Sequence, residues 1–197
     1  MAEVLFFHHV QGLTPGVVAF ADRLRAAGHV VHTPDLYGGR VFPTIAEGQA
    51  FNEAADAPGL AALAASAASD LPAELVYAGI SAGVVHAQRL AQTRPGAAGA
   101  VLIESCLPVS GEWAIGPWPN GVPVQIHGMA DDEIFAGEGD VEAARELVTT
   151  VGPTAELFLY PGDRHLFEDS SLASYDPAAT ELLTARIVDF LGRLPNA

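Results

Sequence analysis

Short apolar runs alternate with amphipathic ones along the whole chain. Residues 4–7 form a continuous apolar run, the pattern of a strand buried on both sides. Thr14 and Pro15 then offer a side-chain cap and a proline at the first helical position. Val17, Phe20 and Leu24 follow on one face, and Gly28 ends the helix. Together these make a complete strand–helix unit.

The alternation continues. Residues 29–32 read as a second strand, stopped at Thr33-Pro34-Asp35, where proline removes a ladder donor and favours a turn. Residues 37–49 read as loop and the alanine-rich stretch 52–69 as a helix with Leu60 and Leu63 on its apolar side. A third strand is expected over 75–78 and a helix over 82–92. Three further strands over 98–103, 122–127 and 155–160 and two helices over 140–150 and 177–191 complete the pattern. Strands alternating with helices predict an α/β fold, with a mostly parallel sheet of about six strands and helices on both faces.

Length and charge narrow the picture. A chain of 197 residues suits one domain around one core, burying roughly 70% of its unfolded surface, so residues 1–197 are taken as a single domain. The net charge is −15, and all nine basic residues are arginines. A surface this acidic repels phosphate backbones and anionic headgroups, which argues against nucleic acid or membrane as partners. Cys106, the one cysteine, excludes an internal disulfide and any multi-cysteine zinc site. No apolar run approaches the roughly 18 residues that span a bilayer, and the first residues lack the pattern of a signal peptide. The expectation is a cytoplasmic protein.

One motif carries chemistry. Gly79-Ile80-Ser81-Ala82-Gly83 fits G-x-S-x-G, with an apolar run before it and a helical stretch after it. A serine hydroxyl becomes nucleophilic only when a neighbouring base takes its proton, and it must project to where a carbonyl carbon can approach. A sharp strand-to-helix turn supplies that projection, with glycines removing side chains that would collide with the adjacent elements. The helix start also presents unpaired N–H groups, so the Ala82 N–H is a natural oxyanion donor.

A turn of this kind in an alternating strand–helix chain points to the α/β-hydrolase fold, in which the partners follow in the order serine, then acid, then histidine. Of seven histidines only His165 lies beyond the acids that follow the fifth strand, in the loop after Tyr160. For the acid, the fifth strand runs into Asp131-Asp132-Glu133. Asp131 is the first choice and Asp132 the second, with Glu104, at the end of the preceding strand, as a more distant substitute. The acid holds the imidazole in the right tautomer and stabilises its charged form.

At this point the chain resembles the dienelactone hydrolase family nearly end to end. The likeness rests on the loop from His8 to Gly12, Ala27-Gly28-His29, Pro34-Asp35-Leu36-Tyr37, and the turn around Ser81. It continues through His127-Gly128-Met129-Ala130-Asp131, Tyr160-Pro161-Gly162 with His165 and Phe167, and Tyr175-Asp176. The resemblance implies that Ser81, Asp131 and His165 are nucleophile, acid and base, and that the second oxyanion donor is the backbone N–H at about Val10. Two departures stand out. The family usually has cysteine as nucleophile, with a glutamate in the first loop, where this chain has Ser81 and His8-His9. Basic residues that would hold a lactone's carboxylate are also missing after His165, where the chain reads Leu166-Phe167-Glu168-Asp169.

The remaining candidates concern the pocket. His8 and His9 point to opposite sides of an extended chain and so suit no shared metal ion, although His9 is a candidate pocket residue. Trp113, Phe135 and Phe167 fall in loops near the carboxyl edge of the sheet, where pockets of open α/β sheets form. No phosphate-binding glycine loop is present, and no cofactor or metal is expected. The reading is therefore a serine hydrolase acting on a small ester or lactone. Its alternatives are a thioesterase, or a binder of small molecules that does no chemistry.

Overall fold

The computed structural model describes residues 1–55, 57–137 and 139–194. Six strands form one sheet: β1 (Glu3–Phe7), β2 (Val30–His32), β3 (Val76–Ile80), β4 (Gly99–Ile103), β5 (Val124–Met129) and β6 (Ala155–Tyr160). The strand order is β2-β1-β3-β4-β5-β6 and every pairing is parallel. Chain order and spatial order part at β1, where the next strand lies on one side and β3 on the other. In open parallel sheets that reversal leaves a crevice beyond the carboxyl ends of the strands.

The helices are α1 (Pro15–Ala26), α2 (Ile45–Ala54), α3 (Ala57–Ser69), α4 (Ala82–Thr93), α5 (Asp140–Val151) and α6 (Pro177–Arg193). Successive strand residues face opposite sides, and the core divides accordingly. Leu5, Phe7, Tyr77 and Leu102 pack with α3, α4 and α5 on one face. Val4, Phe6, Val76 and Val101 pack with α1 and α6 on the other. Among the described residues no helix is long and apolar enough to cross a membrane.

Two features of the chain differ from the expectation. Residues 37–49 are not all loop: α2 begins at Ile45, capped by the Thr44 hydroxyl, which accepts from the Glu47 N–H at 3.2 Å. The expected single helix over 52–69 is two helices, because Ala55 takes an extended conformation (ψ 143°) that ends α2. α2 lies close over the loop after β1. A side chain at Gly48 would put its first carbon 2.3 Å from the Val10 carbonyl oxygen, so glycine is what permits the approach.

Candidate active site

Ser81 sits between β3 and α4 with φ 49° and ψ −119°, a conformation that non-glycine residues rarely hold. The turn is tied from both sides. The Ser81 N–H donates to the Ile103 carbonyl on β4 at 2.7 Å, and the Val84 N–H donates to the Ser81 carbonyl at 2.9 Å. The flanking glycines have a geometric cause. A Cβ at Gly79 would stand 2.5 Å from the Gly83 carbonyl carbon, and one at Gly83 would stand 2.5 Å from the Phe7 carbonyl oxygen. The strand, the turn and the helix therefore pack backbone to backbone, and the serine is left projecting from the carboxyl edge.

His165 meets it there from the loop after β6. Its Nε2 lies 2.8 Å from Ser81 Oγ, and its Nδ1 lies 2.7 Å from Asp132 Oδ2. The carboxylate can only accept, so Nδ1 carries the proton and Nε2 faces the serine as an acceptor. Asp132 is buried and its other oxygen accepts from the Ile134 N–H at 2.9 Å, which fixes the carboxylate's plane.

The acid beside the histidine is thus Asp132 and not Asp131. After β5 the Asp131 N–H donates to the Gly162 carbonyl at 2.9 Å, which continues the edge contact with the β6 loop and leaves its side chain exposed. The next residue then turns inward. A shift of one position decides which carboxylate faces the sheet, and the three adjacent acids carry no periodic signal that distinguishes them.

Glu104, at the end of β4, is also drawn in. It is buried, holds φ 59°, and accepts from the Leu166 N–H at 2.7 Å and the Phe167 N–H at 3.3 Å. Burial pushes its carboxyl well above the ordinary range, and Glu168 and Asp132 nearby push in the same direction, against the two N–H donors. Glu168 is buried with neither carboxyl oxygen hydrogen-bonded to another residue, and burial raises it to about 8 despite its own backbone N–H, with Asp169 and Asp132 adding to the rise. Glu104, Asp132 and His165 place their ligand-type atoms within 4.8 Å of one another, but the Asp132 oxygen and the His165 nitrogen in that group already bond to each other.

The cleft in front of Ser81 encloses about 280 Å³ and is lined, beside Ser81 and His165, by Val10, Ala82, Ile45, Val85 and Ile134 together with the polar Gln49, Asn52, Glu53, Glu104, Ser105 and Asp140. Val10 and Ala82, expected as backbone donors, both border the space beside Ser81 and His165. Among the described residues no arginine lines it, whereas Glu53, Glu104 and Asp140 do. A larger cavity of about 670 Å³ lies at the opposite edge of the sheet, among the residues that precede β3, β4, β5 and β6. Glu74, Pro123, Phe190 and Arg193 line it, far from the serine and histidine.

The four expected pocket residues do not line the cleft. His9 is fully buried; its Nδ1 accepts from the Gln11 N–H at 3.2 Å and its Nε2 donates to Asp169 at 2.8 Å. Asp169 also accepts from the Thr14 hydroxyl. Burial pushes Asp169 up, but the hydrogen bonds from His9, Ser171 and Thr14 outweigh it and bring the carboxyl down to about 2. His8 turns the other way: its Nε2 accepts from the Leu36 N–H at 3.1 Å, and burial lowers it to about 4. These two histidines pin the first loop to the segments on either side of it. Phe135 and Phe167 are fully buried, Phe135 against Gly128, where no Cβ stands in its way. Trp113 is 82% exposed. Of the residues that line the cleft from α2, Ile45 and Gln49 fall in the stretch that reads as loop, although Thr44 followed by Glu47 is a helix-start signature, and Asn52 and Glu53 fall in the expected helix without being singled out. Cys106 is buried, and burial raises its thiol, so it lies outside the chemistry.

The six-stranded parallel sheet and the strained turn that carries Ser81 give the chain the fold of the α/β-hydrolase class. Within that class, the dienelactone hydrolase family model matches residues 115–194, and the resemblance to that family holds. No curated protein matches the sequence. Among solved structures, a dienelactone hydrolase-like promiscuous phosphotriesterase from metagenomic libraries superposes with a TM-score of 0.75 at 17% identity, covering 98% of this chain and 87% of the other. A thermophilic esterase from Thermogutta terrifontis with propionate bound gives 0.65 at 20% identity, covering 100% and 86%. Alpha/beta hydrolase domain-containing protein 10 from mouse gives 0.65 at 16% identity, covering 97% and 90%. At these identities the likeness to each is one of fold.

Proposed function

We propose that the protein is a serine hydrolase that cleaves a small carboxylic ester or lactone. The observation that carries this reading is the hydrogen-bonded chain from Ser81 Oγ through both ring nitrogens of His165 to Asp132, at 2.8 and 2.7 Å. In this reading His165 Nε2 takes the hydroxyl proton as Ser81 Oγ attacks the carbonyl carbon. The Val10 and Ala82 N–H groups receive the oxyanion, and Asp132 stabilises the imidazolium. The tetrahedral intermediate expels the alcohol oxygen, which takes the proton from Nε2. A water molecule, deprotonated by the same nitrogen, then attacks the acyl-serine and releases the acid.

The cleft supports a small substrate, since about 280 Å³ lies at the lower end of what small-molecule sites enclose. Its lining also bears on charge. With Glu53, Glu104 and Asp140 in the lining and no arginine among its described residues, a substrate that is neutral or positively charged fits better than one carrying a carboxylate. Dienelactone, which carries one, fits poorly. A panel of short acyl esters and lactones, assayed with wild type and Ser81→Ala, tests the reading. Hydrolysis that survives the substitution would contradict it.

A further inference from the structure

The two hydrogen bonds to His165 leave one buried carboxyl near it unexplained. Glu104 Oε2 stands 3.9 Å from His165 Nδ1, next to the 2.7 Å partner Asp132 Oδ2. It is too far for a hydrogen bond and too near to be indifferent. The side chain is not loosely placed. The Leu166 and Phe167 N–H groups that hold it belong to the two residues directly after the histidine, and the Glu104 N–H donates to the His127 carbonyl at 2.6 Å. Both ends of the Glu104–Leu166 contact are non-glycine residues at positive φ, 59° and 60°. Such conformations persist only where the surroundings over-determine them.

We infer that Glu104 is a positioning residue for His165: it anchors the loop behind the imidazole and is the reserve acceptor for the Nδ1 proton. Resting on the hydrolase reading above, this inference makes Asp132 the acid that acts first and Glu104 the one that acts when Asp132 is lost. The ionisable groups that bear on Glu104 are His165, Asp132 and Glu168. Removing the Asp132 charge lets the Glu104 carboxyl ionise more readily. A shift of about 1 Å then brings it within hydrogen-bond reach of Nδ1.

The test compares wild type, Ser81→Ala, Asp132→Ala, Glu104→Gln and the double variant Asp132→Ala/Glu104→Gln, by p-nitrophenyl acetate hydrolysis and by the rate of labelling with a fluorophosphonate. Losing the acid outright costs about 10⁴-fold where nothing replaces it. Asp132→Ala is expected to lose far less, about 10- to 100-fold in kcat with KM little changed, and the double variant to lose at least about 100-fold more. In the Asp132→Ala background, Glu104→Gln also lowers the pH midpoint of the acid limb, because the imidazolium loses its remaining negative neighbour. Thermal melting checks folding, and Asp132→Asn replaces Asp132→Ala if the alanine variant does not fold. If adding Glu104→Gln to an Asp132 variant changes neither rate nor pH midpoint, the inference is wrong. If Ser81→Ala leaves hydrolysis intact, the hydrolase reading itself fails and takes the inference with it.

Discussion

The His165 imidazole lies 2.8 Å from the Ser81 hydroxyl although 84 residues separate the two in sequence. They meet because the β3–α4 turn and the loop after β6 open on the same edge of a parallel sheet, where all carboxyl ends converge. The same edge gathers the end of β4 and the turn after β5, and these bring Glu104 and Asp132 to the far side of the imidazole.

Two neighbouring acids should therefore behave differently. Asp132→Ala removes the buried partner of Nδ1 and, with Glu104 held 3.9 Å away as a second acceptor, is expected to lower kcat about 10- to 100-fold, against the roughly 10⁴-fold loss where nothing replaces the acid. Asp131→Asn keeps the backbone bond to Gly162 and alters only an exposed side chain, so hydrolysis should stay within about twofold of wild type. Steady-state kinetics on p-nitrophenyl acetate separates them, and equal effects would place the acid wrongly.

The turn itself is tested at Gly83. A methyl group there meets the Phe7 and His8 carbonyl oxygens at 2.5 and 2.6 Å, both main-chain atoms that cannot step aside. Gly83→Ala should destabilise the fold by about 1–3 kcal/mol and displace Ser81, lowering activity as well. Urea unfolding together with labelling of the serine measures both effects.

Much of this was legible in the chain. Thr14 and Pro15 mark the start of α1 as expected, and the glycine-flanked Ser81 falls on the turn that its neighbours imply. His165 was reachable by order alone. What escaped did so for physical reasons. The start of α2 lies in the stretch 37–49 that reads as loop, and Gly48 in it is there to let the helix approach Val10, a tertiary contact that no local pattern shows. The choice between Asp131 and Asp132 depends on where the chain turns against the β6 loop, a tertiary event. Phe135 and Phe167 were expected in the pocket because they are aromatic and near the right edge, yet apolar bulk at that edge was needed to seal the core.

Glu168 makes stability depend on pH. Its carboxyl is raised from 4.5 to about 8 in the folded protein, chiefly by burial. Below pH 4.5 both folded and unfolded chains hold the proton; between 4.5 and about 8 the unfolded chain releases it first. Stability from this group is thus fully present at low pH and lost as pH rises through that window. Glu168→Gln removes the titration. The stability of the variant relative to wild type, from urea unfolding at several pH values, should grow more favourable from pH 4.5 to 8. A constant difference would contradict the assignment.

Charge selectivity follows from the cleft lining. A p-nitrophenyl ester of acetate should be hydrolysed with higher kcat/KM than the corresponding ester of succinate, whose free carboxylate would face Glu53 and Asp140. Added salt should narrow the gap by screening. A preference for the succinate ester would mean that the acyl group binds away from these two residues.

The central claim is that Ser81 is an activated nucleophile and His165 its base. Incubation with a fluorophosphonate, followed by mass spectrometry of the digested protein, tests it most directly. The account predicts one adduct, on Ser81, formed rapidly in wild type, slowed by roughly three orders of magnitude or more in His165→Ala, and absent in Ser81→Ala. No adduct on wild-type Ser81, or an adduct formed equally fast without His165, would contradict it.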